Sequence, residues 1–489
     1  MQEFLDRYHI VILIIEWLYY ILTIALAGKI IMDTKTSSKT LAYLMLIVFL
    51  PFVGIAIYFI FGVNYRKNRF YSFKIERNEE LYQRIKQIIQ EEHHSVLKEN
   101  GDWLKKYRST TEFLYSDNYS PLTSGNHVEV LKNGEEKFPK VKEILQQAKH
   151  HIHLEYYIYN NDIIGNEIAE ILIQKAKEGV VVRFLYDDFG SSKLTKQFLK
   201  KLNEGGVETS PVNKVRYKLL ANRINYRDHR KIVIVDGLHV FTGGVNVSDK
   251  YINPNPTPTQ YWRDTHLYIK GKSAFYFQFL FMSNWMFATE KMLPITADYF
   301  DSGHVVYGNT IVQGSSSGPD TRPSIMMSTT SAIYSANERI YITTPYFIPT
   351  ESILFSIKQQ ALAGVDVRLL VPKEGDSRIV NAAAYSYYRE LLESNVKIYF
   401  YTKGFVHAKT MLVDHDFSCV GTANMDVRSQ ELNFEVNTLV YDQEVNSKLY
   451  NLFLEDLQNS EEVTLDQWNK RSKMYVFFEH LARLLSPLM

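Results

Sequence analysis

The sequence predicts an α/β fold in which one strand–helix–strand unit is duplicated, standing behind a pair of apolar membrane helices. Three observations carry this. The stretch "HRKIVIVD" at His229–Asp236 is spelled again as "HAKTMLVD" at His407–Asp414. The strings "GVVVR" from Gly179 and "GVDVR" from Gly364 precede them in the same order. Leu41 to Gly62 runs 22 residues without a charge. A chain of 489 residues is too long for one compact core, so more than one globular unit is expected.

The N-terminus comes first. At 1.5 Å per residue, Leu41–Gly62 is long enough to cross the hydrocarbon core of a bilayer. Upstream, His9–Ala27 is nearly as apolar but carries Glu16, which needs a polar partner or a shallow depth, and it is read as a second span. Ala25-Leu26-Ala27 has the small-x-small form of a cleavage site. The acidic Glu3 and Asp6 before it and the second span after it argue for a retained helix instead. Arg66, Lys67, Arg69, Lys74 and Arg77 follow the spans, whereas Lys29, Lys35 and Lys39 lie between them. That bias predicts a multi-pass cell-membrane protein: a hairpin with both ends, and the large C-terminal part, in the cytoplasm.

The rest of the composition narrows the class. Lys+Arg 55 against Asp+Glu 54 gives no bulk positive field for coating nucleic acid. The single cysteine, Cys419, excludes an internal disulfide and a cysteine-based zinc site. Its setting in "FSCVG" predicts a small buried strand residue. The 34 Tyr and 28 Phe suit large packed sheets or a membrane surface.

The expected organisation is two transmembrane helices over 1–66, a charged helical linker over 67–125, a first lobe over 126–310 and a second over 311–489. Within the linker, His93 and His94 are read as solvated. Each lobe begins with a helical pattern ("KVKEILQQAKHH"; "SIMMSTTSAIYSANE") and a strand ("IHLEYYIY"; "RIYITTPYFI"). A second helix ("NEIAEILIQKAKEG"; "SILFSIKQQALAG") and strand ("VVVRFLYDD"; "VDVRLLVP") follow. The copies lie 178 residues apart between the two histidines and 185 apart between the Gly-Val strings, which is duplication with small insertions.

The match continues beyond the aspartates. Gly243, Gly244 and Asn246 in "GGVN" stand where Gly421, Thr422 and Asn424 stand in "GTAN", and His-to-Asn spacing is 17 in both copies. Chance agreement at five fixed positions is on the order of one in a million. A lone H-x-K before an apolar strand is most often a surface-to-core transition; two matched copies reverse that reading.

Residues two apart on a strand share a face, so His229 points with Lys231 and His407 with Lys409. Two imidazoles and two ammonium groups in one pocket suit a phosphodiester. The lysines neutralise the non-bridging oxygens, one histidine attacks phosphorus, and the other protonates the leaving oxygen. Asn246 and Asn424 add amide donors, and no metal or cofactor is needed. Asp236 and Asp414, seven residues on, fall on the opposite face and are expected to act indirectly, by holding the strand end. A nucleophilic histidine also needs an acceptor on its other ring nitrogen. Each half offers one downstream: Asp264 in "YWRDTHLYI" and Glu435 in "LNFEVNTLV".

These two H-x-K-x4-D segments resemble those of the phospholipase D superfamily. The fuller strings "NYRDHRKIVIVDG", "TGGVNVSDKY", "ITTPYFIPT", "GFVHAKTMLVD" and "VGTANMDVRSQELNFEVN", behind two spans, resemble its bacterial cardiolipin synthase branch over nearly the whole chain. The resemblance implies two similar lobes, each a mixed β-sheet flanked by helices, meeting at a pseudo-twofold axis with one active site at the seam. It implies that two phosphatidylglycerol molecules are joined into cardiolipin with release of glycerol, through a phosphatidyl-histidine on His229, with His407 as acid and base. Asp228 departs from the pattern, standing where an amide side chain is expected; it is read as an added negative charge near the site or a partner for Arg227.

Phosphodiester exchange is nearly neutral in energy, and neither a phosphate-binding loop nor a cluster of metal-binding aspartates is found. The expected partners are phosphatidylglycerol and other anionic membrane lipids, not nucleic acid; the oligomeric state is left open. Rival readings are a hydrolytic phospholipase D, transfer to another alcohol such as serine, a nuclease, and a silent membrane scaffold. Lys214, Arg216, Lys218 and Arg223, and the loop "YINPNPTPTQYW", are candidate lipid-facing surfaces. The C-terminal "MYVFFEHLARLLSPLM" has helical periodicity and is expected to pack against a lobe, a second lipid contact being the alternative.

Overall fold

The computed structural model describes residues 2–33, 37–50, 54–55, 57–59, 79–212, 227–253, 261–293, 296–300, 305–319 and 321–486. The basic run 213–226 and the loop 254–260 lie outside the described residues. Cα packing separates an N-terminal unit, within Met1–Asn68, from a large unit that begins at Arg69.

In the N-terminal unit, one helix covers Gln2–Asp33 and a second covers Ser37–Phe49. Leu13–Asp33 is 21 residues, long and apolar enough to cross a membrane. Many of its large side chains are exposed, Trp17 by 67% and Ile24 by 72%, while Leu26 and Ile30 pack in a small apolar cluster. Thr40–Phe49 is apolar but short. The second expected span, Leu41–Gly62, runs on into residues outside the described set.

The large unit is built on one continuous sheet. Its first half contributes β1 (Thr123–Lys132), β2 (His151–Tyr156), β3 (Val181–Asp187), β4 (Glu208–Val212), β5 (Lys231–Val235), β6 (His239–Gly243), β7 (Trp262–Arg263) and β8 (Thr265–Lys270). The second half contributes β9 (Thr310–Ser317), β10 (Arg339–Thr343), β11 (Phe347–Ile348), β12 (Asp366–Pro372), β13 (Lys397–Tyr401), β14 (Phe405–Val406), β15 (Thr410–Val413), β16 (Phe417–Gly421), β17 (Met425–Asp426), β18 (Glu435–Tyr441) and β19 (Ser460–Val463). Read outward from the middle, one half runs β1-β8-β6-β5-β2-β3-β4 and the other β9-β18-β16-β15-β10-β12-β13-β19. Position by position the first seven strands of each half correspond, β19 is added at the second edge, and the antiparallel pair β1–β9 joins the halves. Each half is mixed: β2-β3-β4 and β10-β12-β13 are parallel, and the strands nearer the middle are antiparallel.

Local chemistry explains the repeated strings. Helices Ile163–Lys177 and Glu351–Leu362 each end before a glycine with positive φ, Gly179 at 94° and Gly364 at 99°. A left-handed residue there reverses the chain, so that Val181 opens β3 and Asp366 opens β12. β2 and β5 are buried at every position because helices cover both faces, which is why they read as continuous runs and not as alternations. β4 carries Pro211 and lies at the sheet edge, where a missing N–H costs no ladder bond.

One apolar cluster draws on both halves, from Ile232, Leu267 and Phe281 to Val436, Val440 and Phe453, so the lobes share a core. Cys419 is buried in β16, and burial pushes its thiol up to about 12. Leu104, Tyr107 and Leu114, from the helical stretch 79–118 within the expected helical linker, join the core of the second half. His93 is likewise buried, not solvated. Its ring stacks on Tyr115 at 4.2 Å, and its Nδ1 accepts from the Leu122 N–H at 3.1 Å. Burial lowers it to about 4.

Candidate active site

The site is assembled where the halves exchange short pieces of backbone. Asp228 bridges Phe434, and the His229 N–H donates to the Phe434 carbonyl at 2.9 Å. In the mirror position β14 pairs with β7, and the His407 N–H donates to the Arg263 carbonyl at 2.7 Å. In both places the next residue of the receiving strand is an acid, Glu435 or Asp264. The histidines therefore take their carboxylates from the opposite half. His229 Nδ1 lies 3.0 Å from Glu435, and His407 Nδ1 lies 2.7 Å from Asp264. The sequence offers one acid in each half without assigning it to a histidine; the sheet gives each acid to the histidine of the other half. With Nδ1 so engaged, Nε2 is the nitrogen each imidazole offers to a substrate.

Lys231 and Lys409 are buried, and each Nζ donates to the carbonyl of its own histidine, at 2.7 and 2.5 Å. Burial lowers Lys231 to about 7 and Lys409 to about 8, with repulsion between the two adding to the fall of Lys231. Burial also lowers His229, partly offset by Glu435, and lowers His407 further, where Lys409 and Lys231 add to the effect. Burial lifts Asp264 to about 6. Burial works upward on Glu435 too, but the neighbouring His229 and Lys231 hold it below its ordinary value. The pocket thus gathers groups whose cationic forms are penalised until an anion arrives. Among the described residues, no group of three or more His, Cys, Asp or Glu side chains is placed to hold a metal ion.

The Gly-Gly and Gly-Thr positions hold the acids in different ways. A Cβ on Gly244 would lie 2.0 Å from Asp264 Oδ1, so only glycine lets that carboxylate sit against the backbone. Its counterpart Thr422 donates Oγ1 to Glu435 at 2.5 Å and accepts from the Val436 N–H at 3.0 Å. The expected amide donors are both tied in place. Asn246 donates to Tyr251 Oη at 2.7 Å and accepts from the Ile158 N–H at 3.2 Å. Asn424 is hydrogen-bonded to Asp426, while its Oδ1 is buried without a partner.

Asp236 and Asp414 stand beyond the far ends of β5 and β15, away from the histidines. Asp236 accepts the N–H groups of Lys149, His150 and His151 at 2.8–2.9 Å. Asp414 accepts those of Asn337, Glu338 and Arg339 at 2.8–3.2 Å. Each carboxylate thereby fastens the motif strand to the start of its neighbour, β2 or β10. Asp228 also differs from expectation. It is buried, hydrogen-bonded to Glu155, and held well above the carboxylate range by burial and by the Glu155 charge. Both influences favour the neutral form, which would add no charge beside the site. Arg227 lies instead 3.7 Å from Asp187.

Sequence reasoning missed the aromatic walls: Tyr157 packs edge-on against His229 at 4.7 Å, and Trp262 against His407 at 5.5 Å. It also missed Glu155, which Arg230 approaches at 3.5 Å and Asn284 bonds at 2.7 Å. The available signal was a lone charge inside the apolar strand "IHLEYYIY".

A duplicated mixed sheet that brings two H-x-K pairs together, each imidazole held by a carboxylate, defines a two-lobed phosphodiester-transferring enzyme. A family model described as cardiolipin synthase, phospholipase D-like domain, matches residues 141–261 and 329–457, and one described as phospholipase D-nuclease N-terminal matches 21–62. The chain belongs to the cardiolipin synthase family. It is 40% identical over 477 residues to a cardiolipin synthase of Halalkalibacterium halodurans, covering 96% of this chain and 92% of that one. It is 41% identical over 467 residues to cardiolipin synthase 2 of Bacillus anthracis, covering 94% and 88%. Among solved structures it shares the fold of phosphatidylserine synthase from Haemophilus influenzae, with a TM-score of 0.60, 14% identity, and 78% and 100% coverage.

Proposed function

We propose that the chain transfers the phosphatidyl group of one phosphatidylglycerol to the glycerol hydroxyl of a second, giving cardiolipin and free glycerol. The observation that carries this reading is the crossed pair of imidazole–carboxylate contacts, at 3.0 and 2.7 Å, beside Lys231 and Lys409. His229 Nε2 attacks phosphorus and the bond to the glycerol oxygen breaks, while His407 gives its proton to that oxygen. Glu435, kept ionised, holds the Nδ1 proton and balances the imidazolium of the phosphohistidine. The substrate phosphate brings the negative charge that lets His407 hold a proton and keeps both lysines cationic. In the second step His407 takes the proton of the incoming lipid hydroxyl, that oxygen attacks phosphorus, and the P–N bond to His229 breaks. The family's lipid chemistry and the apolar N-terminal helix support a membrane location. The topology that fits the charge bias is a helical hairpin with the lobes on the cytoplasmic side.

The test is the purified full chain in detergent, with phosphatidylglycerol as the only lipid, EDTA present and no nucleotide, beside a His229→Ala control. Cardiolipin and glycerol in equal amounts, absent from the control, are expected. Phosphatidic acid without cardiolipin would make the enzyme a hydrolase.

A further inference from the structure

The C-terminal helix, Lys473–Arg483, packs on helix Arg378–Glu393, as expected, but with only one of its faces. On that face Glu479 is buried and takes a two-pronged bond from Arg471 at 2.6 and 3.0 Å. Arg483 reaches Glu390 at 3.2 Å, and Tyr387 Oη bonds Ser486 at 3.2 Å. At 100° per residue, Met474, Phe477, Phe478, Leu481, Leu484 and Leu485 share an arc of about 120° on the other side. All six are exposed, Phe477 by 65% and Leu484 by 73%, with Tyr475 (66%) beside them. Lys473 and His480 border the arc, and the helix's single acid, Glu479, is turned inward.

We propose that this face seats the large unit on the surface of an anionic bilayer, with the aromatic and leucine side chains in the headgroup–acyl boundary and the basic border against the lipid phosphates. Three observations choose this occupant. Aromatic and leucine side chains edged by Lys473, with no exposed acid on the helix, complement an anionic lipid surface. The same chain carries Leu13–Asp33, a helix able to cross a membrane, so a bilayer is present at high effective concentration. One three-turn helix also falls well short of the roughly 20–30 residues a side of a stable protein–protein interface. The inference does not depend on which lipid reaction the site performs.

The test uses the full chain in phosphatidylglycerol-containing vesicles, with a spin label on Phe478→Cys or Leu481→Cys and a control label on Lys448→Cys, which is exposed on another helix. Cys419 is buried, so the introduced thiol takes the label. The expected result is high collision with oxygen and low collision with an aqueous nickel chelate at 478 and 481, and the reverse at 448. Equal nickel access at all three positions would overturn the proposal. So would shielding from both reagents, which would mean a second protein copy on this face. In parallel, the triple variant Phe477→Asp, Phe478→Asp, Leu481→Asp is expected to lose about tenfold or more of its turnover on vesicles while keeping it in detergent. Unchanged turnover on vesicles, or equal loss in both media at an unchanged melting temperature, would count against it. The label measurement needs no turnover, so it stands even if the proposed reaction fails.

Discussion

His229 and Glu435 are 206 residues apart in the chain and 3.0 Å apart in the fold. The contact follows from a single backbone bond: the His229 N–H meets the carbonyl of Phe434, and the side chain one residue further lands on the imidazole. The bond from His407 to Arg263 does the same for Asp264. Neither half holds a complete site, because each supplies the other's carboxylate.

Glu435→Gln tests that exchange. The amide keeps the shape, and its oxygen can still accept from Nδ1–H, but it carries no charge to balance an imidazolium. Turnover is expected to fall by about 100-fold or more with KM little changed. A drop confined to KM would place Glu435 in substrate binding instead.

The lysines are expected to set the alkaline limb. In the free enzyme Lys231 and Lys409 lose their protons at about 7 and about 8, so kcat/KM is expected to fall as pH rises through that window, when neutral amines no longer attract the phosphodiester. A bound phosphate anion raises both, which moves the limb of kcat to higher pH. In Lys231→Arg, whose charge persists, the kcat/KM limb is expected to retreat upward. Identical limbs in wild type and variant would remove the lysines from the explanation.

Asp228→Asn is expected to be nearly silent in activity, within about fivefold of wild type, equivalent to about 1 kcal/mol. Burial and the Glu155 charge already favour the neutral form of the native carboxyl. Its raised native pKa contributes stability that is present at low pH and lost as pH rises through that value. The asparagine variant is therefore expected to show a flatter melting temperature against pH. A strong loss of turnover would show that the site uses the charge.

Asp414→Ala separates fastening from chemistry. Three backbone N–H groups lose their acceptor, and a destabilisation of about 2–4 kcal/mol is expected, with turnover per folded molecule close to wild type. Burial works upward on this carboxyl, but the backbone donors hold it below its ordinary value, so its contribution is present at neutral pH and lost on acidification through the native value. Denaturation curves at two pH values and active-site titration read the two effects apart.

Gly244→Ala addresses the first-half acid. With Asp264 Oδ1 at 2.0 Å from the new Cβ, the carboxylate must leave His407, and at least about a tenfold fall in turnover is expected. Thr422→Ala removes only a hydrogen bond to Glu435 and is expected to cost less.

The sequence alone determined the duplication, the histidines and lysines, and the apolar N-terminus. These are local facts: a period-two strand puts His229 on a face with Lys231, and a glycine with positive φ ends each helix before its Val-x-Val-Arg strand. It also placed Asp264 and Glu435 as candidate acceptors, since both sit at matched points of the repeat. Only the tertiary structure decided which acid serves which histidine, because strand pairing between the halves is a long-range choice that no local pattern encodes. Burial, too, belongs to the tertiary structure. It shifted Asp228 toward its neutral form, drew His93 and the helices after it into the core, and lowered the lysines toward neutrality. The cost of an ion is set by what surrounds it, and its surroundings exist only once the chain has folded.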